Sequence, residues 1–108
     1  MIEVISFLEP RYEEPYKLLY RTIEEVNSIF FIVKGSVEVG FEVNRDPKYV
    51  LRLTKGGVFG IYNVTFNKKT MFTYRVKDAF QGFTIRKDNW KSLMTNPEYE
   101  DISSFVKF

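Results

Sequence analysis

The chain has 108 residues, 44% of them hydrophobic and 18% aromatic, with a formal net charge of +2. That is the size of one small domain with enough apolar material for a packed core. The charge is too small to point to nucleic acid or an anionic membrane surface as partner. There is no Cys and no His, which excludes disulfides and thiolate metal sites and removes the commonest general base and metal ligand.

In chain order, Ile2 to Leu8 is an apolar stretch, and Lys17 to Arg21 reads as a strand after Pro15. Ile29 to Val33 is a continuous apolar run, consistent with a buried strand but far too short to span a bilayer. Lys34-Gly35-Ser36 carries turn chemistry. Val37, Val39, Phe41 and Val43 then alternate with polar residues or Gly, the period of a strand with one wet face. Asn44-Arg45-Asp46-Pro47 predicts a turn, and Tyr49, Leu51 and Leu53 the returning strand. Thr54-Lys55-Gly56-Gly57 breaks it.

Gly57 to Thr70 reads as an anion-binding turn leading into a short helix. Beyond it, Phe72, Tyr74 and Val76 alternate with Thr73, Arg75 and Lys77. A turn is expected near Asp78, followed by a strand from Ala79 to Ile85. Strands thus recur about every ten residues, which predicts an antiparallel sandwich or barrel. The last quarter changes period. Trp90, Leu93 and Met94 fall at helical spacing with Asp88 as N-cap. Asn96-Pro97-Glu98 opens a further helix with the stripe Tyr99, Ile102, Phe105 and Val106.

Several of these motifs stand in a familiar order. They are Pro15 before a strand, Phe30-Phe31-Ile32-Val33-Lys34-Gly35-Ser36-Val37, and Leu53 three residues before Gly56. Phe59-Gly60 and Ile85-Arg86-Lys87-Asp88 followed by Trp90 complete the set. With these, the chain resembles the cyclic-nucleotide-binding domain of kinase regulatory subunits, bacterial regulators and ion channels. Gly35 to Phe41, Phe59 to Asn67 and Thr84 to Lys87 are most similar in wording to the C-terminal regulatory domain of voltage-gated potassium channels from ciliates.

The resemblance implies a mainly β fold: an antiparallel β-roll of the double-stranded β-helix or jelly-roll type, with a short helix in the central loop and helices at the C-terminus. The roll would cover 1–86, with a phosphate cassette at 57–71. Helices would cover 87–108, the last of them truncated, so that the chain is expected to be a single domain excised from a longer protein. The implied pocket residues are Leu51, Leu53, Phe59, Gly60, Ile61, Tyr62, Asn63, Lys69, Thr70 and Met71. No catalytic residue, metal site or resident cofactor is expected, and the chain is not expected to be an enzyme. The expected partners are the linker helices and pore of a parent channel, at the cytoplasmic face of a membrane, with cAMP or cGMP as the ligands the family takes. Neither nucleic acid nor membrane insertion by this segment is expected.

The resemblance also implies a defect. In ligand-binding members a Glu after Phe-Gly accepts from the ribose 2′-hydroxyl, and a later Arg followed by small residues pairs with the cyclic phosphate. Without gaps, those positions are Ile61 and Thr70 here, with Met71 and Phe72 in place of the small residues. A charge-assisted hydrogen bond is worth about 1.5–3 kcal/mol, or roughly ten- to a hundred-fold in affinity. Placing Ile against a ribose hydroxyl adds a desolvation penalty of about 1–3 kcal/mol. The expectation is therefore a degenerate pocket that binds cyclic nucleotide weakly or not at all. The alternative is a working cAMP or cGMP sensor of a channel or kinase regulatory subunit, holding the phosphate with backbone amides and Lys69. A cupin-type enzyme would need metal-binding His residues, and a pure protein-interaction module on the same fold is the remaining class.

Overall fold

The computed structural model describes residues 7–95. Six strands and two helices follow in the order β1 (Glu9–Glu13), β2 (Leu18–Tyr20), β3 (Ser28–Val43), β4 (Asp46–Leu53), β5 (Val58–Phe59), α1 (Ile61–Phe66), β6 (Thr73–Arg86) and α2 (Lys87–Thr95). Every pairing is antiparallel. The helix expected from Asn96 onward, with its stripe from Tyr99 to Val106, and residues 2–6 of the N-terminal apolar stretch lie outside the described residues.

Two long strands make the frame. β3 has 16 residues and β6 has 14, and they run side by side from Ser28↔Arg86 to Gly40↔Thr73. Their register shifts between Ile32 and Val37, which divides each strand into two halves. The first half of β3 takes β5 as its other neighbour (Phe30↔Phe59), and the second half takes β4 (Val37↔Leu53). On β6, the second half pairs with β1 and the first half with β2. One continuous ladder thus bends into two facing half-sheets. This is an antiparallel β-roll.

The bend corrects two readings of the sequence. Lys34-Gly35-Ser36 does not reverse the chain, and neither does Asp78. Both lie within continuous strands, where the register shift makes a bulge. A bulge inserts an unpaired residue, bends the strand and raises its twist. Gly35 makes this possible: its φ is +89, and a Cβ there would sit 2.0 Å from Ala79 O. The Asn44-Arg45 turn does reverse the chain. Both residues have positive φ, 51 and 70, the requirement of a two-residue hairpin whose twist matches its strands. Val43 pairs with Asp46 directly across it.

Inside the roll, Ile29, Phe30, Val37, Val76, Phe80 and Ile85 are fully buried. Phe59 lies between Phe30 and Tyr74, its ring 4.8 Å from one and 4.6 Å from the other and nearly parallel to both. This aromatic ladder joins β3, β5 and β6. Offset stacks of this kind add to the burial of their area.

At the C-terminal end, α2 begins at Lys87, so Asp88 lies in the first helical turn rather than capping it. There its charge suits the positive end of the helix dipole. Trp90 and Leu93 are buried against the roll, and Trp90 Nε1 donates to Thr65 Oγ1 at 2.9 Å, tying α2 to α1.

Candidate functional site

A cavity of about 740 Å³ opens beside α1, between the β4 edge and the start of β6. That is the size of a small-molecule site. Its walls follow from the strand register. Val39 pairs with Leu51 on one side and Tyr74 on the other, so the three side chains share one face of the second half-sheet. Leu53, Val58 and Phe59 continue the wall.

The segment from Gly60 to Phe72 closes the other side. Gly60 turns the chain with φ 97, and a Cβ there would meet Ser28 O at 2.8 Å, so the turn into α1 requires glycine. Gly60 O then accepts from Val64 N at 2.9 Å. Val64 is the buried residue of α1, while Ile61, Tyr62 and Asn63 face the cavity. Lys68, Lys69, Met71 and Phe72 complete the wall. Asn63 Nδ2 donates to Lys69 O at 3.1 Å, holding the lysine loop against the helix.

Nine of the ten residues expected in the pocket line this cavity: Leu51, Leu53, Phe59, Gly60, Ile61, Tyr62, Asn63, Lys69 and Met71. Thr70 does not. It is 1% exposed, and its hydroxyl donates to Phe72 O at 2.9 Å and accepts from Phe72 N at 3.0 Å. Its backbone is held as well, by Ile23 N and Glu24 O. The residue at the expected arginine position is thus locked into a buried turn, and its neighbour Lys69 reaches the cavity. Counting residues cannot separate these two positions, because a one-residue slip reverses the side a chain presents.

Arg75 is also turned away. Its guanidinium pairs with Glu38 at 3.5 Å and lies 4.2 Å from the centre of the Tyr49 ring. Val39, Val50, Val58, Lys68, Phe72 and Tyr74 line the cavity without having been singled out as pocket residues. Alternation along β3 and β6 carries the signal for Val39 and Tyr74; the register shift between Val39 and Gly40, which sets Val39 opposite Leu51 rather than Val50, does not follow from the Asn44-Arg45 turn.

The wall is apolar, and its charges are of one sign. Among the described residues it contains no carboxylate and no guanidinium; its ionic groups are Lys68 and Lys69. Neither lysine pairs with a carboxylate among the described residues, whereas Arg11, Arg21, Arg75 and Arg86 each do. Burial pushes the Tyr74 phenol above its ordinary pKa, with the Thr70 side chain pulling the other way. The Tyr74 hydroxyl is therefore neutral at physiological pH. No group of three or more metal-ligating residues occurs among the described residues, and no helix among them is long and apolar enough to cross a membrane.

No protein-family model matches the sequence, and no curated protein matches it. Solved structures do match. The regulatory domain of Toxoplasma gondii protein kinase A, in co-crystal with cAMP, superposes with a TM-score of 0.77 at 16% identity, over 82% of this chain and 34% of that one. A protein from Geobacter metallireducens described as cyclic-nucleotide-binding gives 0.80 at 10% identity, over 97% and 74%. The regulatory subunit of a cAMP-independent protein kinase A from Trypanosoma brucei gives 0.67 at 22% identity, over 94% and 42%. That structure is of a variant with Glu→Ala, Thr→Arg and Val→Ala exchanges, bound to cAMP in its A site. The chain spans about a third of the length of the Toxoplasma structure. The fold of this chain is that of the cyclic-nucleotide-binding domain.

Proposed function

We propose that this chain is a cytoplasmic regulatory domain of a potassium channel, built on the cyclic-nucleotide-binding fold, whose cavity has lost the ionic grip on a cyclic nucleotide. The observation that carries the reading is the make-up of the wall: Ile61 stands where the ribose-binding Glu is expected, and no guanidinium reaches the cavity among the described residues. Each missing charge-assisted bond removes about one to two decades of affinity. Support for the channel context comes from the wording of Gly35 to Phe41, Phe59 to Asn67 and Thr84 to Lys87. In such a domain the roll would bias the pore through preceding helices, with an occupant of the cavity shifting two positions of the C-terminal segment.

Titration calorimetry with cAMP and cGMP tests the degenerate cavity. No heat is expected at micromolar ligand, and clear micromolar binding refutes the reading. The Trypanosoma exchanges suggest a gain-of-function arm, because a Thr→Arg change accompanies bound cAMP in that cAMP-independent protein. The double variant Ile61→Glu, Thr70→Arg supplies both missing groups. Thr70 is buried in its turn, so the longer side chain is expected to swing out toward the cavity, and cAMP binding should appear together with a loss of stability. The full-length transcript tests the channel context: a six-helix membrane region with a potassium filter is expected in the same protein.

A second reading rests on the position of Lys69. It lines the cavity next to the buried Thr70, so an ammonium could take the phosphate while backbone amides complete the site. A working sensor of this kind would bind cAMP or cGMP, and Lys69→Ala would abolish that binding. Lys lacks the bidentate fork of Arg, so the first reading is preferred.

A further inference from the structure

The apolar cavity has a polar neighbour. On the other side of Asn63, Lys68 and Lys69 lies a smaller cavity of about 210 Å³, also walled by Glu25, Val26, Asn67 and Lys87. The two cavities therefore share Asn63, Lys68 and Lys69 as a common wall. Three lysines face one carboxylate in the small cavity, and Lys68, Lys69 and Lys87 form no ion pair with a carboxylate among the described residues. Lys91 is held at its edge by donating to Asn67 Oδ1.

The large cavity shows the opposite chemistry. Val50, Leu51, Tyr62 and Met71 on its wall are 56–74% exposed, a contiguous apolar surface of the kind that marks a binding site rather than scattered surface residues. Leu51 and Val50 lie exposed on the edge strand β4, while Lys68 and Lys69 lie where the two cavities adjoin. A wholly apolar occupant would leave Lys68 and Lys69 unanswered. A small hydrophilic anion would leave the apolar wall in water. One body that satisfies both has a flexible hydrocarbon part and a single anionic head.

We propose that the site takes an anionic amphiphile with one aliphatic chain, the chain lying against Leu51, Val58, Met71 and Tyr74 and the carboxylate or phosphate head meeting Lys68 and Lys69 on the wall that the two cavities share. This inference rests on the reading that the cavity no longer grips a cyclic nucleotide. The charge complementarity is one-sided, since the large wall contributes no acid and the small one contributes only Glu25. Charged groups at the end of an apolar site fix orientation and set specificity, and the apolar wall supplies the area. A carboxylate and a phosphate ester meet ammonium groups in the same way, so the head is identified only by its charge.

Calorimetric titration of the chain with decanoate, decyl phosphate, decanol, inorganic phosphate and cAMP, all below micellar concentration, tests the assignment. Decanoate and decyl phosphate should bind, decanol about tenfold or more weakly, and inorganic phosphate not measurably. The double variant Lys68→Ala, Lys69→Ala should bring decanoate down to the affinity of decanol and leave decanol unchanged. Leu51→Asn, at an exposed edge position, should weaken every amphiphile. Decanol binding as tightly as decanoate, inorganic phosphate competing as well as decyl phosphate, or no amphiphile binding at all would each overturn the proposal. The cAMP arm is read separately. Micromolar cAMP binding would overturn the degenerate-cavity reading, whereas a silent cAMP titration beside silent amphiphiles would overturn only this inference.

Discussion

Ser36 Oγ donates to Asp78 Oδ2 at 2.7 Å, 42 residues apart in sequence, where β3 and β6 change register together. Ser36 is buried, 2% exposed. The bond clamps the bulge that bends one ladder into a roll, so it lies between the sequence and the cavity. Replacing Ser36 with Ala removes the donor without changing the backbone. A hydrogen bond to a charged group contributes about 1.5–3 kcal/mol, less where one partner is exposed as Asp78 is. S36A is expected to lower stability by about 1–2 kcal/mol in urea titration with an unchanged slope.

Gly35 next to it meets a steeper constraint. A Cβ would approach Ala79 O to 2.0 Å, and backbone atoms cannot step aside as a side-chain end can. The positive φ adds about 1–2 kcal/mol for any L residue. Forced overpacking costs about 1–3 kcal/mol more. Gly35→Ala should therefore lose about 2–5 kcal/mol, well beyond S36A. A loss under 1 kcal/mol by thermal or urea unfolding would show that the two strands can separate at the bulge without consequence for the fold.

These two residues also show where reading the sequence stops. Val37, Val39, Phe41 and Val43 alternate cleanly, and Asn44-Arg45 has turn chemistry at a turn, because both signals are local. Lys34-Gly35-Ser36 has the composition of a turn as well, yet it bends within a strand. The difference lies in Asp78 and Ala79 on the partner strand, which no local pattern reports. β1 was not legible because Glu9-Pro10-Arg11-Tyr12-Glu13 has no apolar alternation and contains a proline, which an edge strand tolerates. In the site, the family resemblance placed Phe59-Gly60 and most of the residues after it on the cavity wall. Whether residue 69 or 70 faced inward did not follow from spacing, because buried hydrogen bonds from Thr70 to Phe72 decide it.

Two buried phenols give the chain an alkaline limit. Burial raises the pKa of Tyr20, against opposing hydrogen bonds with the Ser28 and Asn27 backbone, and burial likewise raises that of Tyr74. Tyr20 Oη donates to Ser28 O and accepts from Ser28 N, both at 3.1 Å. A phenol with a raised folded pKa holds its proton in the native state after the unfolded chain has lost it. The native state then binds more protons, so stability falls as pH rises. The contribution is complete below the ordinary pKa of about 10 and is lost as pH rises from there through the raised values. Urea midpoints should be flat in this respect up to about pH 10 and decline above it. Tyr20→Phe should lower stability at neutral pH by about 1 kcal/mol through the lost hydrogen bonds and make the alkaline decline shallower. A decline of unchanged steepness in Tyr20→Phe would assign the effect to other groups.

Trp90 reports on the junction between the cavity helix and α2. It is the only tryptophan in the chain, it is 6% exposed, and its indole N–H donates to Thr65 Oγ1 at 2.9 Å. Thr65→Val keeps the shape of the side chain but leaves that N–H buried without its acceptor, a penalty of about 1–3 kcal/mol. Trp90→Phe removes donor and ring area together and leaves Thr65 a hydroxyl that can turn to water, so the two exchanges are not equivalent. Their double-mutant cycle should return a coupling of about 0.5–1.5 kcal/mol. The same bond makes Trp90 emission sensitive to α1. An occupant that displaces α1 when it enters the cavity should shift the emission of the wild-type chain, and Thr65→Val should blunt that shift even where binding heats are unchanged. If emission responds equally in both proteins, α1 and α2 are not coupled through this bond, and a signal from the cavity would have to leave through the β3–β6 ladder instead.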